Sequence, residues 1–425
     1  MLVARKFLHW SIAASFTERA QAASQLAEAF LYGELAEEDR EEARLILTSL
    51  LEDASPHVRR ALAEQFATAV HVPHFMVLSL AGDEPEIAAI VLARSPLLSD
   101  AELIDFIAMA GAIEQTAIAM RPVVSAAVAA ALAEVGGLEA LITLTENEGA
   151  DILEFSFSRM VERHGESARL RAALLARPNP SACLRSEIAG AAAKSLAAAY
   201  VTKARLPAEH AMELSRDARE KANLEIAASI AGDSSVMQNF VSYLRGSSQL
   251  TAGLLLRGLL CGNTQLFAIA LSDLAKVPVP RAIAAIAKYE NAAFAALYRR
   301  AVMPQRLLPV FRAALQAIAA LRCTRIANAQ LQRPLILSVI EACASSDDDS
   351  IDQLIARLRR FEAEAAREEA RDFCNMAAPA AASGQPPAPA LIKPAARPAR
   401  DGQETGHLGS AFQHEPEFAR ECAAA

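Results

Sequence analysis

The sequence predicts an all-α protein: an α-solenoid of stacked helical hairpins followed by a disordered C-terminal tail. Three observations predict it. An Asp- or Asn-centred turn returns at Asp53, Asp83, Asn147, Asn179, Asp233, Asn263 and Asn291, with a weaker one near Glu114. The step is roughly 30 residues or a small multiple of it, the size of one helical hairpin in a solenoid. Prolines sit at the turns, as at Pro56, Pro85 and Pro278, whereas Pro inside a helix would cost about 3 kcal/mol. The hydrophobic fraction is 53%, but Ala supplies much of it and aromatics only 5%. Small, strong helix formers suit closely packed helices and suit strands poorly.

The elements follow in order. Phe7, Leu8, Trp10 and Ile12 share a helical face at the N-terminus, which reads as the first helix of the array rather than a signal peptide. Ser15 to Gly33 is a helix with Ala20, Ala23, Leu26, Ala27 and Phe30 on one stripe. The next starts with acids at its dipole-favoured end and lines its apolar face with Leu45, Ile46, Leu50 and Leu51. Ser55-Pro56 then caps and restarts the chain. The same grammar gives short helices through Val72–Gly82, Pro85–Arg94, Asp100–Ile107, Gln115–Arg121, Val123–Val135, Gly137–Thr145, Asp151–Arg163 and Ser167–Arg177. A long Ala-rich helix spans about Leu184 to Lys203. A second run from Pro207 keeps the period through Gly232-Asp233, Gly246-Ser-Ser and Gly262-Asn263, and ends with a helix from Leu331 to Ala344. Each hairpin leaves an apolar stripe that only a neighbour covers, so stacking is required for folding.

Four regions result. Residues 1–205 form an N-terminal helical array and residues 206–345 a second array continuing the solenoid. Residues 346–376 form a charged helix with Ile351, Leu354, Leu358, Phe361 and Ala365 on one face, a cap folded back on the array or a short coiled coil. Residues 377–425 are Ala/Pro/Gly-rich without periodicity and read as disordered.

Composition excludes several function classes. The net charge is −8, and no basic arm is present, which argues against nucleic acid as a partner. Six cysteines, at 183, 261, 323, 343, 374 and 422, form no C-x-x-C and read as small hydrophobes in a reducing compartment. The longest apolar run, Thr251 to Leu271, is broken by Arg257 and Asn263 and is too interrupted to span a bilayer. A cytoplasmic location follows. His71 and His74 flank a helix-breaking Pro with no third ligand nearby, so no metal is expected. No phosphate-binding loop, dinucleotide fingerprint, zinc-protease motif or nucleophile elbow occurs, and no cofactor or catalytic residue is expected. Asp217 and Glu220 read as members of a solvated charged face.

The candidate residues fall in two sets. Asp53 sits at an inter-helix turn, where its carboxylate accepts backbone N–H bonds, and Arg59 stands within reach of a carboxylate in the next repeat; together they read as a structural ladder. Arg60, Arg94 and Arg121 lie near the second helices of successive hairpins and, with Gln115 beside the Pro122 break, form a candidate binding strip on a concave face.

Arg19–Ala23, Ser55-Pro-His-Val-Arg59-Arg60-Ala-Leu-Ala63 and Leu92-Ala-Arg94 through Leu103 resemble segments of a bacterial family of unknown function built from HEAT-like helical repeats. The resemblance continues through Gln115 to Pro122, Leu250 to Arg257 and Phe311 to Leu315, and covers most of residues 15–345. It implies a HEAT-like fold and no defined activity, ligand or site residue. The expected function is a non-enzymatic scaffold whose groove binds an unidentified protein partner. The alternative is nucleic-acid or phosphate-ligand binding along the Arg strip.

Overall fold

The computed structural model describes residues 9–11, 13–321, 330–344 and 352–377. Several of its helices begin where a Ser, Thr, Asp or Asn side chain satisfies an orphan N–H group of the first turn. Ser15 opens α1 (Phe16–Tyr32) through a capping box with Glu18, and Ser99 opens α6 (Asp100–Met109) in the same way with Glu102. Between them lie α2 (Glu37–Leu50), whose first turn holds three acids, then α3 (Pro56–Phe66), α4 (His74–Ala81) and α5 (Pro85–Arg94). Pro starts α3 and α5, where its missing N–H has no intrahelical partner to lose. There follow α7 (Ala112–Ala119), α8 (Ala126–Val135), α9 (Leu138–Glu146), α10 (Glu154–His164) and α11 (Ala168–Ala176).

The helices α12 (Ala182–Lys203) and α13 (Ala208–Ser229) then run for 22 residues each. Beyond them are α14 (Ser234–Gly246), α15 (Ala252–Leu260), α16 (Thr264–Ala275), α17 (Val279–Ile286), α18 (Ala292–Arg300), α19 (Leu308–Ala320), α20 (Arg333–Ala344) and α21 (Asp352–Ala377). Among the described residues the one β feature is an isolated parallel bridge between Val124 and Ala150.

Packing follows an i, i+2 rule that makes the fold solenoid-like. In one row α1, α3, α5, α7, α9 and α11 stack in succession; in the other α6, α8, α10, α12, α14, α16 and α18 do so. Two hydrophobic cores result, one from Ala23 to Ile188 and one from Ala182 to Ala365, and they meet inside α12. The run singled out by its hydropathy lies at the heart of the second core: Leu254 to Leu260 and Leu266 to Leu271 are all buried. Among the described residues no helix is long and apolar enough to cross a membrane. The chain divides into a unit from Met1 to Arg371 and a unit from Asp372 onward, of which only residues 372–377, the end of α21, are described.

Several expectations need correcting. Leu45 is 52% exposed, because Ala43, Ile46, Leu47 and Leu50 form the i, i+3, i+4, i+7 set that faces the core. Glu114 lies inside α7, not at a turn. The helix expected from Val123 starts at Ala126, since Val124 leaves the helical path to exchange backbone bonds with Gly149 and Asp151. Glu220 is only 5% exposed, not solvated, with Arg357 of α21 lying 3.9 Å away. Leu358, Phe361 and Ala365 of α21 are buried in the second core. The calls on Phe7, Leu8, Ile12, Ile351, Cys323, Cys422 and the segment after 377 lie outside the described residues.

Candidate functional site

The ladder residues are tied first. Asp53 accepts from Arg19 Nε at 2.8 Å, from Arg19 Nη2 at 2.9 Å and from the Ser55 N–H at 2.8 Å. The Arg19 guanidinium holds its carboxyl below the usual range. Arg59 grips both oxygens of Asp83, at 2.7 and 3.0 Å, and adds bonds to Glu84 and to the Asp53 carbonyl. Farther along, an exposed Arg169–Glu139 pair joins α11 to α9, and other side chains hook helix ends directly. Arg121 donates to the carbonyls of Leu92 and Ser95 at 2.6 and 2.8 Å, Asn147 to those of Ala119 and Arg121, and Arg177 to those of Thr145, Asn147 and Ala150. The other row repeats the device where Arg163 donates to the carbonyls of Ala133 and Gly136. These bonds satisfy C-terminal carbonyls that a helix leaves open.

The residues of the candidate strip are therefore placed differently from one another. Arg60 is exposed and pairs with Glu64 on its own helix at 3.1 Å. Arg94 is exposed at the end of α5. Arg121 is half-buried, its guanidinium pKa pushed down by burial and partly restored by Asp100. Gln115 is buried; its amide donates to the carbonyls of Ile107 and Ala110, and its oxygen accepts from the Gly137 N–H at 2.9 Å. The last two thus bind the array's own backbone. His74 is bonded to Glu102 at 2.6 Å, and among the described residues no group of three potential metal ligands is present.

A groove of about 850 Å³ opens between α10, α12, α13 and α14, where the two cores meet. Its origin is local. A Cβ at Gly165, at the end of α10, would lie 2.8 Å from Ala191 Cβ, so glycine lets the two helices touch there. α12 is 22 residues long and α10 is 11, so α12 runs on past that contact without α10 beside it. The apolar lining includes Phe155, which is 59% exposed, with Ala191, Ala198 and Tyr243. Arg159 pairs with Glu134 and Glu162 on the rim. Lys194 and Arg219 line the groove with no ion pair among the described residues.

A polar chain begins and ends in the lining and passes through buried Asn223. Ser186 Oγ lies 2.6 Å from Asn223 Oδ1, and Asn223 donates to Gln249 Oε1 at 2.9 Å. Glu187 Oε2 is buried without a hydrogen-bond partner among the described residues. Burial pushes its carboxyl up, against a hydrogen bond to Ser158. Burial also raises Tyr243, reinforced by the Glu187 charge. The Cys183 thiol, half-buried and beside Glu154 and Glu187, is pushed up to about 11, so it stays protonated and unreactive at neutral pH. The groove is thus an amphipathic binding surface. Sequence reasoning missed it, although the doubled length of the Ala-rich helix beginning near Leu184 was a usable signal.

A family model described as an uncharacterised protein conserved in bacteria (DUF2336) matches residues 87–347, more than half of the chain. Those residues include both sides of the groove and exclude the Arg19 and Arg59 segments of the ladder. No curated protein and no solved structure matches the chain.

Proposed function

We propose that this chain, which belongs to the uncharacterised bacterial family whose model it matches, is a non-enzymatic protein–protein interaction scaffold. The observation that carries this reading is the groove along α12 from Ser186 to Ala198. There an exposed aromatic ring, Phe155, shares the lining with two cations, Lys194 and Arg219, that have no ion-pair partner among the described residues. Aromatic anchors ringed by polar groups are the common chemistry of protein recognition sites. An extended or helical segment of a partner, apolar along one side and acidic along its edge, fits this lining. The hairpins are read as HEAT-like on the strength of the Arg-to-Asp ladder. A cytoplasmic setting belongs to the same reading and is supported by Cys183, Cys261, Cys343 and Cys374, which hold no disulfide.

The test is affinity capture from native lysate at several salt concentrations with the wild type, Phe155→Asp and the Lys194→Glu/Arg219→Glu double variant. The scaffold reading expects one reproducible protein with the wild type, lost with Phe155→Asp at unchanged helicity and weakened by the charge reversal. Failure to recover any protein at any salt concentration overturns it. The alternative, nucleic-acid or phosphate binding along the Arg strip, is less well supported, because Arg121 and Arg60 already have partners in the chain. It expects a low-salt gel shift that Arg94→Glu removes.

A further inference from the structure

The hairpin made by α12 and α13 is a second surface, on the side away from the groove. Between residues 194 and 219 it buries only Ala211 fully, and Leu196, Tyr200 and Leu214 are exposed. Helical geometry sorts these residues. On α12, Leu196, Tyr200 and Lys203 fall at i, i+4 and i+7, opposite the groove-lining Lys194 and Ala198. On α13, His210, Leu214 and Asp217 repeat the spacing, opposite the groove-lining Arg219. On α12 the outward face is thus apolar through Leu196 and Tyr200, and on α13 it carries Leu214 between His210 and Asp217; exposed apolar side chains on a helix pair favour being covered.

The charges indicate what covers it. From Ile188 to Ala208 the chain carries Lys194, Lys203 and Arg205 and no acid, while the next nine residues carry Glu209, Glu213 and Asp217 with one cation, Arg216, which pairs with Glu220. Lys203, Arg205, Glu209 and Asp217 make no ion pair among the described residues. One face thus holds a cationic helix end beside an acidic helix start, the pattern of a self-complementary surface.

We propose that this outer face of the α12–α13 hairpin pairs with the same face of a second copy of the chain, closing an antiparallel four-helix bundle. With the two-fold axis along the hairpin, each α12 lies against the partner's α13. Leu196 then stands within about one helical turn of the level of the partner's Leu214, and Lys203 comes beside the partner's Glu209. The groove on the opposite side stays open in both copies.

The test is the solution mass of the full chain by light scattering and sedimentation across a concentration series. The wild type is expected at twice the mass of one chain. Leu196→Asp/Tyr200→Asp is expected at the mass of one chain with unchanged helicity by circular dichroism, because both side chains are exposed and the fold does not depend on them. Lys203→Glu is expected to raise the dimer dissociation constant at least several-fold, and Lys203→Glu/Glu209→Lys to recover most of that loss. A wild type that stays monomeric throughout the series overturns the proposal. So does a dimer indifferent to the Leu196/Tyr200 change.

Discussion

Arg59 binds both oxygens of Asp83 and at the same time donates to the carbonyl of Asp53, so one guanidinium joins two successive inter-helix turns. Its side chain is 13% exposed and that of Asp83 12%. Removing one partner leaves a largely buried carboxylate and an open carbonyl. Arg59→Ala is expected to lower unfolding stability by about 2–3 kcal/mol in urea titration. Arg59→Lys should recover less than half, since an ammonium cannot make the fork.

Gln115, on α7 of the same row, has a comparable role across three helices. Gln115→Leu leaves the Gly137 N–H and the Ile107 carbonyl without their partner. A loss of about 1–3 kcal/mol follows from such unpaired buried groups. Gln115→Glu should cost at least as much, because a carboxylate cannot donate to a carbonyl. Thermal unfolding of both variants checks this.

Two carboxylates give opposite pH signatures. Glu102 accepts from the Ser99 N–H, from His74 and from Ser99 Oγ, which lower it from 4.5 to about 2. Its contribution to stability is present above pH 4.5 and is lost as pH falls toward 2, so Glu102→Gln should be less stable than the wild type at neutral pH and converge with it in acid. Burial raises Glu187 above 4.5. Its ionisation therefore opposes folding as pH rises from 4.5 through the raised value, so Glu187→Gln should match the wild type in acid and exceed it at neutral pH. Melting temperatures from pH 3 to pH 8 separate the two.

Arg257, 3% exposed, sits 2.5 Å from Glu364 and over the ring of Phe361, tying α21 to the second core. Lys221 pairs with the same Glu364. Arg257→Ala should cost about 3–5 kcal/mol. Limited proteolysis should then cut α21 well before the rest of the array.

Gly165 holds the contact that starts the groove. A Cβ there would fall 2.3 Å from the Val161 carbonyl oxygen as well as against Ala191. Gly165→Ala is expected to destabilise by about 1–3 kcal/mol through overpacking. Tyr243 fluorescence should report a changed groove.

The amino-acid sequence alone determined the helical frame, the turns and the pairing logic of Asp53 and Arg59. Those features rest on short-range rules. A cap such as Ser15 finds Glu18 three residues away, and Pro56 or Pro85 excludes itself from a helix interior by its own ring. Only the tertiary structure decided that Gln115 and Arg121 bind backbone in neighbouring helices, that Glu220 is buried and Glu187 half-buried, and that a groove opens between α10, α12, α13 and α14. Each of these depends on which helix lies alongside, 8 to 137 residues away in the chain (Gln115 to Ile107, Glu220 to Arg357). Burial and carbonyl capture are properties of that neighbour as much as of the residue, and periodicity within one helix carries no record of it.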